Sequence, residues 1–150
     1  MAAQFTRVMR AQPETPSTLR RAFREWLRAL RWPAEEADDL ILALNEAAAN
    51  VVEHAYTQLH RKRYRLVRVS AECVPSPLGP RIRIEVADAG QWRPPPADPG
   101  YRGRGLRLMR ACTDSLAIDT TASGTRVTMT SRPAPLPHPV SAHQLYAQST

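Results

Sequence analysis

Hydrophobic positions along this chain recur with two different periods. From Ser17 to Leu30, the residues Leu19, Ala22, Phe23, Trp26, Leu27 and Leu30 fall at helical spacing and define one apolar face. Arg20, Arg21, Arg24 and Arg28 occupy the remaining surface, as a solvated face or as a docking surface for an acidic partner. Ser17 is the expected N-cap, because its hydroxyl can accept from a free backbone N–H. A second helix is expected to begin at Pro33, whose missing N–H costs little in a first turn. Glu35, Glu36, Asp38 and Asp39 crowd its positive end. This helix should run to about Tyr56, and Ala47, Ala48 and Ala49 allow close approach to a neighbour. The period then drops to two. Leu66 to Val74 alternates as a strand, and so does Arg81 to Ala87, with Ile82, Ile84 and Val86 inward. Pro75 to Pro80 reads as the loop of a hairpin between them. Gly105 to Ala111 is a short helix, and Ser115 to Thr121 and Thr125 to Ser131 are two last strands. Gln4 to Arg10 alternates loosely and predicts a first strand with Phe5 and Val8 partly buried, ended by Pro13 and Pro16.

Two helices, a hairpin, a short helix and two more strands make an α+β layer design. Residues 1–131 form one expected domain, and residues 132–150, with a proline at every second position from Pro133 to Pro139, form an expected extended or disordered tail. A chain of 150 residues can bury a real core, and with three Trp, two Phe and four Tyr that core is mostly aliphatic. Cys73 and Cys112 are too few for a disulfide framework or a zinc site and read as buried thiols in a reducing compartment. Residues 1–10 lack a signal-peptide core, and no apolar run approaches a membrane span, so a cytoplasmic protein without a membrane role is expected. The net charge is +7, carried almost wholly by arginine with Lys62 as the one lysine. Such a balance attracts nucleic acid, anionic membrane or acidic protein. The arginines are spread along the chain and no nucleic-acid-binding motif is present, which argues against direct nucleic-acid binding.

The candidate chemistry lies within the second helix. Glu46 and Asn50 are four residues apart and therefore share a helix face. A carboxylate beside an amide oxygen suits a base next to a hard-cation ligand such as Mg²⁺. Taken alone, the pair reads more simply as a polar rim on a buried helix. Downstream stand Asp88-Ala89-Gly90, Gly103-Arg104-Gly105-Leu106 and Gly124-Thr125, in that order. Gly90 would let the backbone turn tightly after a strand. Gly103 and Gly105 would open the short helix, where free N–H groups can hold phosphate. Arg102 and Arg104 could add charge there, or be solvated.

This ordered set resembles the GHKL ATPase superfamily, and within it the bacterial anti-sigma-factor serine/threonine kinases. The resemblance covers roughly residues 4 to 131. It implies the Bergerat fold, a two-layer α/β sandwich with helices on one face of a mixed sheet. It implies ATP and Mg²⁺ as cofactors, with Asn50 holding the metal and Glu46 acting as general base toward a serine hydroxyl or water. It further implies that Asp88 accepts a hydrogen bond from the adenine amino group, that Gly90 approaches the base, and that Thr125 helps hold adenine. Gly103, Arg104, Gly105 and Leu106 would form the phosphate box. The implied partners are a sigma factor, a STAS-type anti-sigma antagonist as phospho-acceptor, and a second copy in a homodimer.

Residues 91–101 between the glycine boxes are short and carry four prolines, unlike the long ATP lid of sensor histidine kinases. Trp92 departs from the smaller residues the anti-sigma kinases often place after Gly90, which bears on lid geometry. No histidine-bearing dimerisation helix precedes the first box, which separates the chain from a complete two-component sensor. Two alternatives stay open. One is a non-catalytic nucleotide-binding module, including a domain of a larger serine-phosphatase regulator. The other is a basic adaptor for nucleic acid, against which the retained box order counts.

Overall fold

The computed structural model describes residues 3–57, 60–91 and 104–134. Alternating side chains make one sheet, in the order β1-β2-β3-β5-β4. Its strands are β1 (Gln4–Arg10), β2 (Leu66–Val74), β3 (Arg81–Asp88), β4 (Ser115–Thr121) and β5 (Gly124–Thr130). All the pairings are antiparallel, with Val69 opposite Val86 and Val86 opposite Val127 at the centre. Val67, Val69, Ala71, Ile82, Ile84, Val86, Val127 and Met129 are buried on one face. The helices α1 (Thr15–Ala29), α2 (Ala34–Asn50) and α3 (Arg104–Cys112) supply the other half of the core, chiefly through Leu19, Phe23, Leu27, Leu40, Leu44 and Met109. Phe5 of β1 meets Phe23 edge-on at 5.4 Å, and Phe23 stacks with Trp26 at 5.6 Å. The result is a two-layer α+β sandwich, with helices on one face of the sheet and the other face open.

Three sequence expectations shift. Val8 is not partly buried but 52% exposed, because it lies three residues from Phe5 and a strand turns such positions to opposite faces. α1 begins at Thr15 rather than after Ser17. Pro16 is accommodated in its first turn, and the buried Thr15 hydroxyl donates to the Arg10 carbonyl and accepts from the Gln12 N–H at 3.1 Å. Ser17 lies inside the helix and donates to the Glu14 carbonyl at 2.9 Å. The second helix is α-helical only to Asn50; Val51–Ala55 forms a single π-helical turn.

α1 ends in a Schellman closure: the Trp32 N–H donates to the Leu27 carbonyl at 3.0 Å and Arg31 N–H to Arg28 at 2.9 Å. Arg31 takes the left-handed position at φ 56, where a glycine is usual. This turns the chain sharply from α1 into α2, whose N-cap is Pro33. After β5 the chain stays attached to β3, with Ser131 N–H on the Ile82 carbonyl at 2.8 Å and Ala134 N–H on the Pro80 carbonyl at 2.9 Å. Ala134 is buried. The rest of the proline-rich tail lies outside the described residues.

α2 and β3 meet where the π turn ends. The Ala55 carbonyl accepts the Gln91 N–H at 2.7 Å. A methyl group on Gly90 would lie 2.0 Å from that carbonyl oxygen, so only glycine fits without moving backbone. Gly90→Ala is therefore expected to cost about 2–4 kcal/mol of stability, read by urea denaturation; a loss within about 0.5 kcal/mol would mean that the junction can relax.

Candidate functional site

Glu46 and Asn50 project from the last two turns of α2, both half-buried. The opening turn of α3 comes down on the same face. A methyl group on Gly105 would lie 3.1 Å from Glu46 Oε2 and 3.7 Å from both amide atoms of Asn50. A larger residue at position 105 would intrude on both side chains. Burial lifts the Glu46 carboxyl above its ordinary value, and the charge of Glu53 adds to the rise. Both effects favour a carboxyl able to take up a proton. Glu53 was not singled out in the sequence, although its place seven residues beyond Glu46 is a helical repeat.

The second cluster sits where β3 ends. Asp88 is half-buried on the helix side, in register with Thr125 of β5. Its Oδ1 accepts the Gly90 N–H at 2.8 Å. Burial raises its carboxyl above the usual carboxylate range, while the backbone N–H groups of Gly90 and Thr125 pull it down. Gly124 starts β5 at φ 141, and a methyl there would lie 1.9 Å from the Asp88 carbonyl oxygen. The Gly124-Thr125 step thus lets β5 press against the end of β3.

Tyr56 joins the two clusters. Its hydroxyl accepts the Ala89 N–H at 3.0 Å and the Leu66 N–H at 3.1 Å, and donates to the Leu66 carbonyl. One phenol therefore ties the end of the π turn to the start of β2 and to the turn after Asp88. Sequence reasoning used Tyr56 only as a helix end; its signal was a polar-tipped aromatic closing an apolar helix. His54, in the same π turn, lies 3.5 Å from the Glu53 carboxylate.

Glu46, Asn50 and Gly105 thus converge, and Asp88, Gly90 and Thr125 form a second group beyond the π turn. Arg104 is exposed at the start of α3, and Leu106 is half-buried against the core. Gly103, Arg102, Trp92 and the proline-rich stretch from residue 92 lie outside the described residues. A cleft of about 480 Å³ touches both Asp88 and Thr125 at the end of the sheet, lined further by Ala87, Asp119, Thr121, Ser123, Gly124 and Arg126. Ala87, Asp119, Thr121 and Arg126 belong to the open face in the strand register, so the cleft reaches Asp88 and Thr125 from that side, and no residue of α2 or α3 lines it.

Residues 9–131 match the histidine kinase-like ATPase domain. The chain belongs to this family. Members of the family bind ATP, and the helices on one face of the sheet described above agree with its α+β sandwich. Among solved structures, the chain is similar to the RsbU and RsbW domains of Rv1364c from Mycobacterium tuberculosis, with 24% identity and a TM-score of 0.70, over 93% of this chain and 35% of that one. It also matches the histidine kinase domain of a blue-light activated histidine kinase from Erythrobacter litoralis, with 21% identity and a TM-score of 0.48, over 76% of this chain and 48% of that one. The first likeness is one of fold. The histidine kinase-like ATPase domain thus spans about a third of the longer chain that it resembles there.

Asp88→Asn keeps an oxygen for the Gly90 N–H and removes a carboxylate that burial disfavours. Because the folded-state carboxyl is raised, the ionised form is the less favoured one in the fold, and its loss should leave stability at neutral pH unchanged or higher. ATP affinity, measured by calorimetry, should fall about 10–100-fold, the worth of one charged hydrogen bond. Full affinity in this variant would remove Asp88 from base recognition.

Proposed function

We propose that this domain is an ATP- and Mg²⁺-dependent serine/threonine protein kinase of the anti-sigma-factor type. It holds a sigma factor and phosphorylates a STAS-type antagonist, as a cytoplasmic homodimer. The observation that carries the reading is the convergence of the Glu46 carboxylate and the Asn50 amide on the first turn of α3. No helix among the described residues is long and apolar enough to cross a membrane.

The donor set fits the metal. The described residues contain no group of three or more His, Cys, Asp or Glu side chains that could hold an ion. Mg²⁺ needs no such cage, since it keeps phosphate oxygens and waters as most of its ligands. Asn50 Oδ1 would be the protein ligand, and the bound ion would neutralise charge on the phosphates. Asp88, with Thr125 beside it, orients the base. Backbone N–H groups opening α3 face the phosphates. Glu46 accepts the proton of the attacking hydroxyl, and its raised carboxyl suits that transfer near neutral pH. Phosphate added to the antagonist brings negative charge to the contact and releases it.

A second reading is a nucleotide-binding module that regulates without catalysis inside a longer serine-phosphatase regulator. Its support is that the solved chain of similar fold, described as RsbU and RsbW domains, is about three times as long as the stretch matched. Intact Glu46 favours the kinase.

Asn50→Ala should remove the Mg²⁺-dependent part of ATP binding, and Glu46→Gln should keep ATP binding while lowering phosphoryl transfer about 10²–10⁴-fold. Calorimetry and radiolabel transfer to a candidate antagonist separate the two effects. Transfer retained in Glu46→Gln would sink its role as base.

The pH profile tests the same residue. Transfer needs Glu46 ionised, so activity should fall as pH drops through a pKa lying above that of an ordinary glutamate. Glu53→Gln removes the second cause of the rise, so the acid limb should move to lower pH. A limb that does not move would show that Glu53 and Glu46 are uncoupled.

A further inference from the structure

β1 lies at one edge of the sheet, and both of its charged residues are positive, while Glu72 of β2, opposite Gln4, is paired with Arg83. β1 pairs with β2 alone, so one side of its backbone has no ladder partner among the described residues. Arg7 and Arg10 lie on the strand itself. Arg61, Lys62 and Arg63 enter a short 3₁₀ turn beside its C-terminal end. That turn is held in place: the Ala11 N–H donates to the Arg65 carbonyl at 2.7 Å, and Arg65 Nε donates to the His60 carbonyl at 2.8 Å. Arg68 faces Val8 across the pair. The ion pairs among the described residues are His54–Glu53, Arg81–Asp114 and Arg83–Glu72, so none of these six cations is neutralised by one. Two exposed apolar surfaces lie within the patch. Val8 is on the edge strand, and the Tyr64 ring is capped by the Arg63 guanidinium at 4.8 Å.

Charge on an edge strand often serves only to keep other edges away. A mixed set of charges would do this for any partner. A set of one sign repels another copy of the same edge, since like charges opposite each other in a ladder are destabilising, but attracts an acidic one. The Arg7 guanidinium lies over the Phe5 ring at 4.7 Å and donates to the Thr6 carbonyl at 2.8 Å, a side-chain bond that an incoming strand would exchange for a ladder bond. The edge also offers backbone groups with no ladder partner among the described residues and an exposed aliphatic side chain, which are features a polypeptide strand can use.

We propose that the free edge of β1 receives an extended acidic segment of a partner protein, which joins the sheet as an additional strand. This goes beyond the nucleotide site and does not depend on it. In an antiparallel addition, the residues opposite Arg10, Met9, Val8 and Arg7 follow in that order. The segment then reads acidic, any residue, aliphatic, acidic. The basic turn at Arg61–Arg63 extends the attraction past the strand end.

The test uses the full chain and a fluorescent peptide carrying two tandem repeats of Glu-Thr-Val-Glu. Fluorescence anisotropy at low salt should show saturable binding. The same peptide, N-methylated at its valines, keeps its charge and loses ladder hydrogen bonds, and should bind at least about tenfold more weakly. Arg7→Glu with Arg10→Glu should weaken binding by a similar factor. If that variant does not fold, Arg61→Ser, Lys62→Ser and Arg63→Ser in the surface turn should still weaken binding several-fold and make its salt dependence shallower. Equal binding of the N-methylated peptide would overturn strand addition. Tighter binding of an oligothymidylate than of the peptide would overturn it in favour of nucleic acid, and absence of peptide binding at millimolar concentration would overturn it outright.

Discussion

The site depends on one backbone contact, the Ala55 carbonyl receiving the Gln91 N–H at 2.7 Å with Gly90 pressed beneath it. It fastens the far end of the Glu46–Asn50 helix to the end of the strand that bears Asp88. Without it the two halves would be held by the Tyr56 hydroxyl and by nonpolar packing, which has little directional preference. The π turn makes the contact possible. An α-helix continued through residue 55 would place the Ala55 carbonyl along the helix axis toward a later N–H. The wide turn ends the helix there and leaves Tyr56 extended, with its hydroxyl at the turn after Asp88.

Burial acts in the same direction at the two carboxylates of this framework but is balanced differently. Asp88 is compensated by two backbone N–H groups, which hold it in one orientation as an acceptor. Glu46 has a neighbouring carboxylate instead, and both of its causes raise it. On the proposed reading, these two half-buried acids are thereby suited to different tasks, Asp88 to fixed recognition and Glu46 to proton exchange.

The strands and helices were readable because their faces are distinct. β2 and β3 alternate cleanly, so period alone located them within a residue or two, and the one apolar stripe of α1 revealed that helix and its end. The Glu46–Asn50 pair was readable because helical spacing places such residues together whatever the fold. Local exceptions were less visible. Val8 looked inward because the loose alternation of β1 did not reveal which of its faces met the core. The start of α1 was hidden by Pro16, which reads as a breaker yet is harmless in a first turn. The π turn leaves no residue signature, and the coupling of Glu53 to Glu46 appears only once the helix geometry is known. The roles of Gly90 and Gly124 were legible as glycines, but the backbone atoms that require them were not.

The helical backbone that carries Glu46 and Asn50 runs without a break into the π turn and then to Tyr56. Tyr56 is anchored through its hydroxyl to the start of β2 and to the turn after Asp88. A slide of α2 along its own axis would have to break these hydrogen bonds together with the one from Gln91 to Ala55. The offset between Glu46 and Asp88 is thereby held by covalent chain and directional contacts, so the two carboxyls keep their spacing even where the packing around them adjusts.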